Sequence, residues 1–313
     1  MLDPVQISLR HWIGFVVCIL VFLALDLGVF HKRAHVVRFR EALLWTTFWF
    51  LLAMLFAWSL VPKLGRERAL EFVTGYIIEL SLSMDNVFVI ALIFSFFRVP
   101  SRYQHRVLFW GVLGALIMRG VMIGLGTALI VEFHWVLYLF GAFLVFSGIK
   151  MLLAREEGVH PEKNPMVRLA RAVFPMTTEF DGQKFVTHRE GQLLFTPMVL
   201  VLVMVETTDL VFALDSIPAI FAVTQDPFVV FTSNVFAILG LRSLYFVLEG
   251  ALKYFRYLKA GLSVVLVFIG LKMLMAKWVG NISAGWSLGV VGLIIVGSIV
   301  LSLWAIWRED RRS

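Results

Sequence analysis

The chain has 313 residues, of which 60% are hydrophobic and 16% charged, against about 25% charged in soluble domains. That balance excludes a soluble globular fold, and the lack of alternating segments of ~10 residues excludes a transmembrane barrel. The formal net charge of +7 implies no nucleic-acid partner, because most basic residues fall in short loops between apolar runs.

Nine apolar runs predict an all-α, polytopic membrane protein. They cover residues 12–30, 43–61, 72–97, 107–131, 135–153, 196–222, 228–249, 260–277 and 286–307, each near the ~20 residues that cross hydrocarbon. The first run lacks a basic leader and a small-residue cleavage site, so it reads as a span and not as a signal peptide. The one cysteine, Cys18, lies in it and permits no disulfide within the chain. If the spans alternate, 19 of the 28 Lys and Arg residues fall on one side, in the odd-numbered loops and the tail. Five fall on the other, among them Lys63, Arg66 and Arg68 of the second loop. The positive-inside rule then puts the N-terminus outside and the C-terminus in the cytoplasm. Between the fifth and sixth spans, residues 154–195 form a long polar loop. Its Asp181-Gly182 pair predicts either a small hairpin turn or a solvated linker.

Three landmarks repeat in order. Ser83-Met84-Asp85-Asn86-Val87-Phe88 matches Thr207-Thr208-Asp209-Leu210-Val211-Phe212 at an offset of 124. Arg119, eight residues after Gly111, matches Arg242, eight after Asn234, at 123. Val145-Phe146-Ser147-Gly148 matches Val267-Phe268-Ile269-Gly270 at 122. The chain therefore divides into two N-terminal spans (1–71), a first three-helix repeat (72–153), a cytoplasmic loop (154–195), a second repeat (196–277), and a last span with its tail (278–313). Three spans is an odd number, so the second copy enters from the opposite side. Inverted repeats of this kind place transport sites at their interface near mid-membrane.

Ionisable residues at that depth cost roughly 2.5–3.5 kcal/mol each on insertion scales. Glu79, Ser83 and Asn86 share one helix stripe, with Asp85 on its flank. Glu206 and Asp209 are neighbours at i, i+3, and Asp215 points about 180° from Glu206 on an unbroken helix. Pro218 predicts an unwound stretch near Leu214 that would turn Asp215 toward the others. Asp26, in the first span, reads either as a pathway group or as a cap. Arg119 and Arg242 read as partners for the acids when no metal is bound, and Lys150 and Lys272 as snorkelling cations. Carboxylate, amide and hydroxyl oxygens suit a hard divalent cation such as Mg²⁺, Ca²⁺ or Mn²⁺. Met84 and Met204 would tilt that choice toward Mn²⁺, although a methionine in an apolar helix is ordinarily packing.

In Gly75 to Phe88 and Glu206 to Phe246 the chain resembles the TerC family of integral membrane proteins, most closely its Alx-type branch. The resemblance implies a bacterial inner-membrane exporter of Mn²⁺, with links to tellurite resistance, alkaline stress and metal supply to exported enzymes. It carries the family's acidic motif onto Glu79, Asp85, Asn86, Glu206, Asp209 and Asp215. The expected function is secondary transport of a divalent cation, with protons as a counter-ion and no permanently bound cofactor. The competing expectation is a membrane scaffold that delivers metal or serves stress-response partners without moving ions itself. No nucleophile motif, HExxH motif or nucleotide-binding loop is present, so no enzymatic activity is expected.

Overall fold

The computed structural model describes residues 9–25, 39–153, 164–189, 191–249, 257–279 and 283–310. In chain order these form α1 (Leu9–Leu25), α2 (Phe39–Phe96), α3 (Ser101–Glu132), α4 (Val136–Leu153), α5 (Pro165–Val173), β1 (Val186–Arg189), β2 (Gln192–Phe195), α6 (Pro197–Phe221), α7 (Pro227–Glu249), α8 (Leu258–Val279) and α9 (Ala284–Asp310). Seven of the described helices are long and apolar enough to cross a membrane. The protein is an all-α, multi-pass membrane protein, with one small hairpin among the described residues.

The 58-residue α2 is two antiparallel arms. Gly65 has φ +88 and ψ 163, a conformation that costs glycine nothing. The rings of Phe56 and Phe72 are 5.2 Å apart, whereas a straight helix would separate them by about 24 Å. The expected loop at 62–71 is thus a turn at a single non-helical residue. The arms 39–64 and 66–96 hold the second and third expected spans. The 17 residues of α1 cover 12–25 of the first, a shorter apolar helix that is not one of the seven, and the rest of that expected span lies outside the described residues.

Two further expectations are corrected. α6 runs unbroken through Pro218. Proline removes one backbone donor, but Ile217, Pro218, Ala219 and Ile220 are all buried, and their packing holds the helical geometry. Asp181-Gly182 does form a turn, with the Lys184 amide donating to the Asp181 carbonyl at 3.1 Å. The hairpin, however, pairs Val186 with Phe195 and Arg189 with Gln192, and closes next to Gly191, at φ +78. Phe180 and Phe185 pack against the core instead of pairing across the Asp-Gly turn.

α7 lies at the centre, with 89% of its spanning window buried, while α4 and α9 form the rim at 22% each. α7 packs on α2 and α3, and α6 packs on α2, α3 and α4. α4 crosses α8 without room for side chains. A Cβ on Gly148 would meet the Ser263 carbonyl and Val267 Cγ2 at 2.8 Å. A Cβ on Gly270 would meet the Gly141 carbonyl at 2.6 Å and Val145 Cγ2 at 2.8 Å. Shifting the first set of contacts by the 122-residue offset yields the second, so the crossing is reciprocal. Such small-residue crossings let membrane helices approach through their backbones.

Candidate functional site

Glu79, Ser83 and Asn86 project as one stripe from the second arm of α2, all fully buried. Glycines bring the neighbouring helices close enough to complete the site. On α2, a Cβ at Gly75 would stand 2.9 Å from Ser233 Oγ of α7. On α3, a Cβ at Gly111 would press Val205 of α6, and one at Gly114 would overlap the Glu206 carboxylate.

Between these helices lies the guanidinium of Arg119, contributed by α3 and buried. It grips Asp209 of α6 in a bidentate pair, with Nη2 donating to Oδ1 at 2.9 Å and Nε to Oδ2 at 3.2 Å. Nη1 donates to Glu79 Oε1 on α2 and to Ser216 Oγ on α6, the latter at 3.3 Å. Asn86 Nδ2 donates to Asp209 Oδ1 at 2.8 Å. One cation therefore ties α2, α3 and α6 together. A planar fork that meets two carboxylates in this way gives directional, charge-assisted hydrogen bonds.

The cluster is not satisfied. Glu79 Oε2, Ser83 Oγ, Asn86 Oδ1 and Glu206 Oε2 are buried and make no hydrogen bond. Glu206 stands one turn before Asp209 on α6 with its carboxylate against Gly114 of α3, so a third acid lies next to the two that Arg119 grips. Buried acceptors and charges without partners are costly, and all four of these atoms are hard oxygen donors.

The other expected site residues are placed differently. Asp215 is half-buried and lies toward Ser147 and Lys150 of α4. Because α6 does not unwind at Pro218, nothing turns Asp215 toward Glu206. Asp85, adjacent to Asn86, is half-buried, as is Arg242 on α7. Asp26 lies outside the described residues. Among the described residues no three Asp, Glu, His or Cys side chains stand in a ready metal-binding arrangement. Arg119 fills the space between Glu79 and Asp209. Lys272 does not simply snorkel: its Nζ donates to Ser287 Oγ at 2.9 Å, beside a cavity of about 300 Å³ lined also by Glu67, Glu71 and Phe221.

One contributor escaped sequence reasoning. Ser216 follows Asp209 by seven residues, the same helix face, and that spacing would have found it. Asn234 is a further buried polar residue on α7 with neither side-chain atom bonded. It served only as a landmark of the repeat, and no spacing signal marks it.

These features define an integral membrane protein with a charged, incompletely satisfied site between three of its spanning helices. Residues 64–312 match the integral membrane protein TerC family, and the chain belongs to it. Its relatives include a membrane protein of Myxococcus xanthus, STKORF319, whose function is uncharacterised, 52% identical over 93% of this chain and 92% of the relative. In Escherichia coli K12 the protein provisionally named membrane-bound redox modulator Alx is 47% identical over 96% of both chains. An uncharacterised membrane protein of Rickettsia felis is 41% identical over 93% of this chain and 97% of the relative. No solved structure gives a significant match.

Proposed function

We propose that this protein is a bacterial inner-membrane secondary transporter that exports a hard divalent cation, Mn²⁺ foremost, through the site around Arg119. The observation that carries this reading is the set of four buried oxygens without partners on Glu79, Ser83, Asn86 and Glu206. Arg119 acts as a tethered cation. It neutralises Glu79 and Asp209 while the site is empty and withdraws when the metal arrives to take their oxygens. Exchanging one cation for another keeps the buried charge low throughout the cycle, and that lowers the barrier to crossing. The reciprocal crossing of α4 and α8 supports an inverted repeat of 72–153 and 196–277. Nine spans with an external N-terminus and a cytoplasmic C-terminus rest on the apolar runs and on the 19-to-5 split of basic residues. Asp85 and Asp215, half-buried on α2 and α6, serve as approach groups for the ion.

In this reading the protein is no enzyme and keeps no permanent cofactor, and protons are the counter-ion. A redox role, as the provisional name of the Alx relatives has it, finds one exposed thiol here, Cys18, and no second cysteine for exchange.

The test is flux of Mn²⁺, Mg²⁺ and Ca²⁺ into proteoliposomes under imposed pH gradients. Saturable Mn²⁺ movement that follows the gradient is expected. No flux of any ion from folded protein would leave a scaffold that works through membrane partners.

A further inference from the structure

The short helix α5 lies outside the spanning set, and part of its apolar surface is uncovered. Asn164 caps it, its side chain accepting from the Met166 and Val167 amides. At 100° per residue, Leu169, Val173, Met166, Ala170 and Val167 occupy an arc of about 160°, with Arg168 and Arg171 on the other side. α6 covers one edge of that arc. Val167 and Ala170 are buried in the cluster that holds Met198, Val201, Met204 and Val205 of α6. Asn164 Nδ2 lies 3.2 Å from Met204 Sδ. The other edge, Met166, Leu169 and Val173, is 47%, 55% and 61% exposed.

Depth says what covers this edge. Met198 to Val205 form the first turns of a spanning helix, so α5 runs beside α6 within about 10 Å of its start. That is the boundary between headgroups and acyl chains, where amphipathic helices bury their apolar faces. Charge agrees with this placement. Residues 164–174 contain Arg168 and Arg171 and no acid. Among the described residues neither arginine forms an ion pair, whereas Lys184 and Arg189 of the neighbouring hairpin region pair with Asp181 and Glu179.

We propose that α5 is an interfacial helix that binds anionic phospholipid. Met166, Leu169 and Val173 enter the acyl boundary, and Arg168 and Arg171 hold headgroup phosphates, whose oxygens the guanidinium fork matches. This assignment is independent of what crosses at Arg119. It gives the loop between the two repeats an anchor on the bilayer.

The experiment uses the full chain with Cys18→Ser and a single fluorophore-labelled cysteine at Leu169→Cys or Val173→Cys. Thr178→Cys, on the exposed loop that follows, is the comparator. The vesicles are phosphatidylcholine with or without phosphatidylglycerol, and carry brominated chains. The labels at 169 and 173 are expected to quench at least about twofold more than the label at 178, and to quench further with phosphatidylglycerol. Arg168→Gln with Arg171→Gln should abolish the phosphatidylglycerol increment. Iodide quenching at 169 and 173 as strong as at 178 would overturn the proposal. So would quenching indifferent to lipid charge. Shielding that rises with the protein-to-lipid ratio would overturn it too, assigning the stripe to a second copy.

Discussion

Two arginine-centred clusters tie this protein together, and they differ in what they leave over. Arg68 donates to Glu71 Oε2 at 3.0 Å and to Thr224 Oγ1 at 3.2 Å, and Asp226 Oδ2 lies 3.8 Å away. Thr224 itself donates to Glu71 at 2.6 Å, and Asp226 caps α7 through the Phe228 and Val229 amides. The Arg68 side chain is 40% exposed, so water satisfies the remainder. Arg119 is 3% exposed, shares its helix interface with three carboxylates and leaves four oxygens bare. The same residue types thus make a staple at the membrane end and an unsatisfied site inside. Burial is the difference, because an exposed pair contributes little while a buried unpaired group destabilises strongly.

If this contrast is functional, substitutions in the two clusters must separate transport from stability. The largest effect belongs to Asp209→Asn. It keeps shape and leaves Arg119 paired with Glu79, so membrane abundance should persist while Mn²⁺ flux falls at least about tenfold, the equivalent of ~1.4 kcal/mol. Normal flux would break the comparison.

Next comes Gly114→Ala. Its methyl group would overlap the Glu206 carboxylate, so thermal unfolding should show a loss of about 1–3 kcal/mol, as for overpacked cores. Glu206→Ala in the same chain should recover much of that stability and none of the transport. A double variant no more stable than Gly114→Ala would remove Glu206 from the α3–α6 interface.

Arg68→Gln should cost no more than about 1 kcal/mol by thermal unfolding and leave flux unchanged, as expected for a solvated pair. The smallest effect lies in the hairpin. The Thr187 hydroxyl, then Lys184, hold the Asp181 carboxyl below its ordinary range. A depressed folded value means its stabilisation is present above the unfolded value and is lost as pH falls through the folded one. Hairpin amides should therefore exchange faster only once acid has protonated Asp181, and Thr187→Val should move that onset to higher pH.

Much of the site was legible in the sequence. The i, i+4, i+7 spacing of Glu79, Ser83 and Asn86 fixes one helix face, and a buried arginine needs acids beside it. Pro218 misled, because the rule describes one lost hydrogen bond and is silent on the packing of Ile217, Ala219 and Ile220 that holds the helix. The chain around Gly65 read as a loop because Lys63, Arg66 and Arg68 are polar, whereas a single left-handed residue suffices to reverse α2. What Arg119 grips depended on glycines 75, 111 and 114, whose role appears only when helices distant in sequence meet.

The central claim is that Arg119 holds the place of the transported cation. Mn²⁺ binding to the purified protein, followed by electron paramagnetic resonance, tests it most directly. Asp209→Asn should lose the bound ion. Arg119→Gln, which removes the competing charge, should bind Mn²⁺ more tightly than the unaltered chain and gain thermal stability from it. Equal Mn²⁺ binding by all three proteins would contradict the account.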